Sequence, residues 1–214
     1  ELQALVELFE GQLIVPGSLG GDPIAALREI GLYSRIRHCS LQDKPQSDFD
    51  RIVAKRAAAR EKAENAAFSG SRLETIVGSV LDRKGERSII FCYSIAHACV
   101  VWAALRSNGV CASIVGSAFS NNHNASQIES FRQGRSNCIV NVRMAAVGVD
   151  FPSATAAYFT VPTSSSIFFE QAVGRVARGP AVGGTSDATV YDFDGHLRRF
   201  GNVKSYGRFV HAWG

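Results

Sequence analysis

Two motifs that nucleotide hydrolases commonly carry are missing from this sequence of 214 residues. The chain has no phosphate-binding loop of the form Gly-x-x-x-x-Gly-Lys-Ser/Thr. The nearest stretch, Gly179 to Gly184-Thr185-Ser186, lacks the lysine and follows a predicted helix rather than a strand. There is also no adjacent Asp-Glu pair that could hold magnesium. These two absences exclude a self-contained nucleotide hydrolase of the phosphate-loop class.

Signals for secretion, membrane insertion and structural metal binding are missing as well. The chain opens without a basic segment before an apolar stretch, and no apolar run approaches about 18 residues. No two of the five cysteines form a Cys-x-x-Cys pair, and three lie in apolar surroundings, so we predict buried, reduced thiols of a cytoplasmic protein. The histidines show no metal-ligand spacing, so we predict no metal site and expect surface or loop positions for His38, His97, His123, His196 and His211.

The first 46 residues read as irregular and are too few to form a domain, as in a connecting segment. One helix is well marked there, with Asp22 as N-cap, Pro23 at the first position and Gly31 after the end. We predict that residues 1–46 connect to a partner that is missing from the chain, and that residues 47–214 form one domain. The net charge of +4 permits a nucleic-acid partner without requiring one.

Short apolar segments alternate with helical segments in the predicted domain. After two helices, Phe49–Ala67 and Leu73–Leu81, the expected strands are Ser88–Tyr93, Val110–Val115, Asn137–Val142, Ala156–Val161 and Ala188–Asp192, and the expected helices between them are Ile95–Ser107, Ala125–Gln133 and Ser165–Ala177. This order predicts an α/β fold with a mainly parallel sheet covered by helices on both faces. Because ligands gather at the carboxyl ends of parallel strands, we expect functional loops at Ser94, Ser117 and residues 143–152.

Residues 168–179 carry the most unusual pattern in the chain. Read as a helix, they place Gln171, Gly174, Arg175 and Arg178 on one side, and Phe169, Ala172, Val173 and Val176 on the other. The apolar side is suited to pack on a sheet. Two guanidinium groups and an amide one turn apart suit a polyphosphate, because arginine binds phosphate oxygens bidentately and stays charged. Gly174 would allow a phosphate or a partner backbone to come close. An ordinary basic surface helix is the alternative.

A second candidate follows the strand that ends near Val142. Gly148, Asp150 and Pro152 place a permissive backbone position next to a carboxylate beyond the end of a strand. The Asp150 carboxylate could accept a hydrogen bond from a ribose hydroxyl, or it could cap a short turn. The residues alone do not separate these interpretations.

Several segments together resemble a known family. Residues 89–98, 115–117 and 128–134, then Gly148-Val-Asp150-Phe-Pro152, then Gln171-x-x-Gly174-Arg175-x-x-Arg178 follow the order of helicase motifs IV, IVa, V and VI. Over residues 85–195 the chain resembles the second RecA-like motor domain of a superfamily 2 helicase or translocase, in the branch of the restriction-enzyme motor subunits and DEAD/DEAH proteins. The resemblance implies a RecA-like three-layer sandwich.

The resemblance also implies roles for the candidate residues. ATP and Mg²⁺ would be held mainly by the N-terminal RecA-like domain of the same parent chain, which is the missing partner. Arg178 would act as the arginine finger, with Arg175 beside it and Gln171 near the γ-phosphate. Gly148 and Asp150 would face the ribose, and Gly174 would allow close approach. Nucleic acid, in this branch double-stranded DNA, would contact Ser94, Ser117 and Asn141.

The chain departs from the family pattern in motif V. Val142 stands where related proteins have threonine, with Asn141 one place away, and Ala146-Val147 stands where many have Thr-Glu. These changes bear on nucleic-acid contacts and on the catalytic interface.

Two other functions are compatible with the sequence. Val190-Tyr-Asp192-Phe-Asp194-Gly195 resembles the nucleophile loop of haloacid dehalogenase-type phosphatases, although His196 stands where that family has threonine. The simpler interpretation is that Asp192 and Asp194 end the last strand and cap a turn. The other possibility is a module that binds nucleic acid or protein without ATP chemistry, although the set of Gln171, Arg175 and Arg178 argues against it.

Overall fold

A single parallel sheet of six strands organises the chain. The computed structural model describes residues 23–41, 68–142, 151, 153–160, 163 and 165–196. The sheet has the order β1-β6-β5-β2-β4-β3, and every pair of neighbouring strands is parallel. The strands are β1 (Arg35–Ser40), β2 (Ser88–Phe91), β3 (Ala112–Val115), β4 (Cys138–Asn141), β5 (Ala156–Phe159) and β6 (Asp187–Asp192).

Five α-helices accompany the strands within the described residues. They are α1 (Pro23–Glu29), α2 (Gly70–Asp82), α3 (Ile95–Ser107), α4 (Asn121–Arg132) and α5 (Ser166–Gly174), and a short 3-10 helix spans Pro180–Val182. Four helices begin with a serine whose hydroxyl accepts a main-chain N–H bond from the first turn, which stabilises the helix start. These capping residues are Ser69, Ser94, Ser120 and Ser165.

Helices cover the sheet on both faces, which makes three layers. On one face, Phe131 of α4 and Phe169 and Val173 of α5 pack with Ile89 and Ile139 of the central strands. On the opposite face, α2 and α3 pack on the same strands through a second group, which includes Ile76, Val80, Val101, Leu105, Ile90 and Val140. The four residues of β2, and likewise those of β3, β4 and β5, are all buried, as expected for strands covered on both sides. The predicted RecA-like α/β fold is confirmed.

Strand β1 was not predicted from the sequence. It pairs in parallel with β6, from Arg35 opposite Asp187 to Ser40 opposite Asp192. Its sequence alternates exposed Arg35 and Arg37 with half-buried Ile36 and His38, so it lacks the continuous apolar run of the central strands. Residues 35–40 therefore belong to the same sheet as the predicted domain. That residues 1–46 connect to a missing partner stays a prediction.

The predictions for the early helices and for the cysteines are confirmed only in part. The predicted helix Phe49–Ala67 and Asp22 lie outside the described residues. Gly31 follows α1 with φ +73°, as expected of a glycine after a helix. All five cysteines are free thiols, but only Cys92 and Cys138 are buried. No helix in the described part of the chain combines the length and the apolar character needed to cross a bilayer.

Candidate functional site

The structure divides the predicted site residues between opposite edges of the sheet. Ser94 and Ser117 follow the ends of β2 and β3, and Asn141 ends β4, so these three lie at the carboxyl edge. Arg178 lies at the amino edge, where its main chain contacts Ser34 and Thr185, just before the starts of β1 and β6. Helix α5, which carries Gln171 and Gly174, packs on one face of the sheet. The predicted site residues therefore lie on two candidate surfaces rather than on one.

Helix α5 is anchored by the apolar stripe that the sequence predicted. Phe169, Ala172, Val173 and Val176 are all fully buried against the sheet. Burying side chains of this size stabilises the helix by roughly 1.5–3 kcal/mol for each large one. On the opposite side, Gln171 and Gly174 are exposed and Arg175 is half-buried. The predicted polar side of the helix is thus correct for these three residues.

Arg178 does not lie on that helix, and the predicted helix Ser165–Ala177 is wrong at its end. Helix α5 ends at Gly174, with Arg175 as its C-cap. Arg178 instead forms an isolated antiparallel bridge with Tyr33. The chain leaves the helix because residues before β1 take over its hydrogen bonds: the Ser34 N–H donates to the Ala177 carbonyl at 2.9 Å, and the Gly179 N–H donates to the Leu32 carbonyl at 3.1 Å.

The main chain of Arg178 is held from two sides. Its carbonyl oxygen lies 2.7 Å from the Ser34 Oγ and 3.0 Å from the Thr185 nitrogen, and both groups donate to it. The Ser34 Oγ also lies 2.5 Å from the Thr185 carbonyl oxygen. Ser34 is fully buried. We call these contacts between residues 31–34 and residues 177–185 the arginine clamp.

Two glycines make the arginine clamp possible. A Cβ added to Gly179 would lie 2.1 Å from the carbonyl oxygen of Gly31, and one added to Gly184 would lie 1.9 Å from the carbonyl oxygen of Arg178. Both contacts are with main-chain atoms, which cannot move aside as a flexible side chain could. At these two positions the backbones approach as closely as only glycine allows.

Two charged side chains, Arg28 and Glu170, lie near Tyr33, which forms the β-bridge with Arg178. The Arg28 guanidinium lies 5.9 Å from the centroid of the Tyr33 ring. Burial raises the pKa of Tyr33, the positive charge of Arg28 opposes that rise, and the negative charge of Glu170 on α5 adds to it. Helices α1 and α5 thus both approach the arginine clamp.

At the carboxyl edge, the loops that carry Ser94 and Ser117 meet. A Cβ on Gly116 would lie 2.4 Å from Ile95 Cδ1, so this glycine lets the two loops pack together. Ser94 is half-buried as the N-cap of α3, and Ser117 is exposed. The structure thus brings these two predicted nucleic-acid contacts to one place.

Asn141 is the exception among the predicted nucleic-acid contacts. Its side chain is fully buried, and its amide donates to the Ile90 carbonyl at 3.0 Å. In this structure the side chain joins β4 to β2 and does not reach the surface. The prediction missed this because a polar residue at a strand end also serves to satisfy main-chain groups inside the sheet.

A buried network that the sequence did not predict supports the start of α5. His196 is fully buried, its Nδ1 lies 2.6 Å from Asp192 Oδ1, and its Nε2 accepts from the Thr163 N–H at 2.8 Å. The His196 ring also stacks on Phe169 of α5, with centroids 5.4 Å apart. The expectation that the histidines lie on the surface or in loops is therefore wrong for His196, and it is wrong for His97, which is fully buried too.

Arg72 ties helix α2 to the ends of β5 and β6. Its Nη1 donates to the Thr160 carbonyl at 2.8 Å and to Asp194 Oδ2 at 3.0 Å, and its Nη2 donates to Asp194 Oδ1 at 3.1 Å. Burial raises the pKa of Asp194, and the neighbouring Arg72 opposes that rise. Asp192 Oδ1 in turn accepts from the Asp194 N–H at 3.0 Å. Both carboxylates hold structure together, in agreement with the turn-capping interpretation and not with a phosphatase nucleophile loop.

Part of the predicted site falls outside the described residues. This applies to Gly148 and Asp150 and to the departure at Val147. Phe151, which follows them, is fully buried and meets the Phe131 ring edge-on at 5.6 Å. Among the described residues, no three His, Cys, Asp or Glu side chains are grouped so that they could hold a metal ion.

Comparisons with known proteins agree with the motif resemblance. The family described as the helicase conserved C-terminal domain matches residues 71–180. An uncharacterised Mycobacterium tuberculosis protein, Rv2917, is 36% identical over 66 residues, which is 31% of this chain and 11% of that protein.

Two solved structures share the fold. A fragment of an HsdR subunit of a type I restriction enzyme from Vibrio vulnificus YJ016 superposes with a TM-score of 0.61 at 19% identity, over 81% of this chain and 35% of that one. A Dbp5 variant from S. cerevisiae, bound to RNA and ADP BeF3, gives a TM-score of 0.52 at 15% identity, over 87% of this chain and 47% of that one. The chain thus spans less than half the length of each of these three proteins.

Proposed function

This chain belongs to the helicase conserved C-terminal domain family, and on that premise we propose that it is the second motor domain of an ATP-dependent helicase or translocase. Its role would be to supply Arg178, Arg175 and Gln171 to an ATP molecule bound by a first motor domain elsewhere in the parent protein. The observation that carries the proposal is the arginine clamp, which fixes the main chain of Arg178 through a buried serine hydroxyl and two close glycine contacts.

The chemistry of the side chains supports phosphate as the ligand. Arginine stays charged and matches phosphate oxygens bidentately. An arginine placed against a transferring phosphoryl group stabilises the charge that develops there, which is worth about 10³–10⁵ in rate. Gly174 on the exposed side of α5 has nothing within 4 Å of an added Cβ, so the space there is open for a ligand or partner. Gly148 and Asp150 would approach the ribose.

The donor set also fits a shared nucleotide site. The arginine guanidinium groups suit phosphate oxygens and cannot bind Mg²⁺, which is bound mainly by carboxylate, phosphate and water oxygens. The sequence carries neither a phosphate-binding loop nor an Asp-Glu pair. We therefore propose that ATP and Mg²⁺ are held mainly by the first motor domain, and that this chain alone does not hydrolyse ATP.

We further propose that nucleic acid binds at the carboxyl edge, near Ser94 and Ser117. The helices α3 and α4 both begin at this edge, and helix N-termini favour phosphate groups. Contacts of this kind position a strand without reading its sequence. The net charge of +4 fits such a partner. Double-stranded DNA is the substrate that the restriction-enzyme branch suggests.

The test is nucleic-acid-stimulated ATP hydrolysis by the longer parent chain, with Arg178→Ala compared to wild type. We expect a loss of about 10³-fold or more in kcat with ATP binding retained. Arg106→Ala is the matched control, because Arg106 is an exposed arginine in the last turn of α3, outside the proposed contacts. It should leave the rate unchanged.

The competing function is a module that binds nucleic acid or protein without ATP chemistry. Such a module has no use for a γ-phosphate contact, so it would tolerate Arg178→Ala. If the parent chain hydrolyses no ATP, or if Arg178→Ala leaves hydrolysis unchanged, the motor proposal fails and the binding module becomes the better account.

A further inference from the structure

We propose that Ser34 is a positioning residue for the proposed arginine finger: its buried hydroxyl fixes the main chain of Arg178 against the segment that leads into β1. This inference rests on the proposed function, because it assigns Ser34 a role in ATP hydrolysis through Arg178. Ser34 does not belong to any of the motifs that carry the family resemblance, and it lies 144 residues before Arg178 in the chain.

The hydroxyl of Ser34 stands where two carbonyl groups converge. The Arg178 oxygen lies 2.7 Å away and the Thr185 oxygen 2.5 Å away. A serine hydroxyl has one proton, so the two carbonyl oxygens share it. Ser34 is fully buried, so water would not readily replace the hydroxyl if it were removed. The residue thus joins the two ends of the loop 178–185.

Main-chain contacts make this attachment rigid on the side of β1. The Ser34 N–H donates to the Ala177 carbonyl, and the next residue, Arg35, donates from its N–H to the Ser186 carbonyl at 2.8 Å. Arg35 then begins β1, which pairs with β6 along its whole length. The hydroxyl is therefore held by the sheet through β1, in addition to the contact of the Ser34 N–H with the chain that leaves α5.

The position of Arg178 in the fold distinguishes a positioning role of Ser34 from a general stabilising role. Arg178 lies beyond the end of α5, so the helix alone does not set the direction of its main chain. A displacement of about 1 Å in a catalytic group costs roughly 100-fold in rate even when the fold is intact. Loss of the Ser34 hydroxyl should therefore affect the chemical step far more than it affects ATP binding.

The experiment measures steady-state ATP hydrolysis by the longer parent chain with saturating nucleic acid. For Ser34→Ala we expect kcat to fall roughly 10- to 100-fold, with KM for ATP changed less than about threefold. Ser34→Cys, which keeps the side-chain shape but is somewhat larger and a weak donor, should behave like Ser34→Ala. A loss of kcat in Ser34→Ala that Ser34→Cys restores would show that volume, not hydrogen bonding, matters, and would overturn the proposal.

Ser113→Ala is the matched control for the loss of a buried serine hydroxyl. Ser113 is 2% exposed, and its Oγ lies 2.8 Å from the Ser136 Oγ. It lies on β3, which is the edge strand opposite to β1 in the sheet. It should leave kcat unchanged. The thermal melting temperatures of Ser34→Ala and Ser113→Ala should be similar. Equal loss of kcat in both variants would indicate general destabilisation and refute a positioning role.

A double variant distinguishes failure of this inference from failure of the proposed function. In an Arg178→Ala background, Ser34→Ala should cause no further loss of kcat, because the group that it positions is gone. If Arg178→Ala is inactive but Ser34→Ala is fully active, the motor proposal stands and the role of Ser34 is refuted. If Arg178→Ala is itself fully active, the motor proposal fails and the role of Ser34 fails with it.

Discussion

Removal of Arg72 should destabilise this fold more than removal of any exposed arginine. Arg72 is 4% exposed, and its guanidinium donates to both carboxylate oxygens of Asp194 and to the Thr160 carbonyl. In Arg72→Leu, the Asp194 carboxylate stays largely buried, with 11% of its side chain exposed, and loses its positively charged partner.

The expected cost follows from that unpaired carboxylate. Breaking a buried ion pair by removing one partner costs about 3–5 kcal/mol. For a domain of this size, each kcal/mol lowers the melting temperature by about 2–4 °C. We therefore expect Arg72→Leu to lower it by roughly 6–20 °C at neutral pH.

The loss should depend on pH in a defined direction. Burial already raises the pKa of Asp194, and Arg72 opposes that rise. Without Arg72 the folded-state pKa rises further above the unfolded value, so the folded state of the variant binds the proton first as pH falls. The difference between variant and wild type should therefore be full at neutral pH and shrink as the pH falls through that raised pKa.

Urea unfolding of the chain at several pH values measures this difference. Arg35→Ala is the matched control, because Arg35 pairs with Asp187 in a second Arg–Asp ion pair, with side chains 73% and 43% exposed. It should leave the free energy of unfolding almost unchanged. The double variant Arg72→Leu/Asp194→Leu should be more stable than Arg72→Leu alone. A cost for Arg72→Leu below about 1 kcal/mol, or one independent of pH, would refute the reasoning.

Two further perturbations test other parts of the structure. Gly179→Ala places a Cβ 2.1 Å from the Gly31 carbonyl oxygen and should lower the melting temperature, whereas Gly78→Ala in α2, where an added Cβ meets nothing within 4 Å, should leave it equal or raise it; equal effects would contradict the close contact. Burial lowers the pKa of His97 to about 4, with Arg72 adding to the effect. The folded state thus resists protonation of His97, so stability should fall as pH drops from 6.5 towards 4, by about 2–3 kcal/mol. His97→Gln should flatten that slope in urea titrations, and an unchanged slope would rule out His97 as its source.

The sequence predicted those strands of the sheet in which every residue is buried. Strands β2 to β5 read as short apolar runs, and the structure confirms each of them within a few residues. Strand β1 was missed because an edge strand with Arg35 and Arg37 exposed lacks that signal. The helicase resemblance was correct, and it depends on the order of motif residues in the sequence rather than on where helix α5 ends.

Contacts between distant residues explain what the sequence could not predict at the site. The end of α5 is set by Ser34 and Leu32, and the buried pair of Arg72 and Asp194 joins residues 122 positions apart. The apolar stripe predicted the packed side of α5, because helical spacing is a local property. The path of the chain after Gly174 depends on tertiary contacts, so no local sequence pattern predicts it.

In the proposed motor, Arg178 acts on the chemical step of ATP hydrolysis. Single-turnover hydrolysis by the longer parent chain, with the enzyme in excess over ATP and nucleic acid saturating, measures that step directly. We predict that Arg178→Ala lowers the single-turnover rate about 10³-fold or more while the affinity for ATP stays within about threefold of wild type. A single-turnover rate equal to that of wild type would contradict a catalytic role for Arg178.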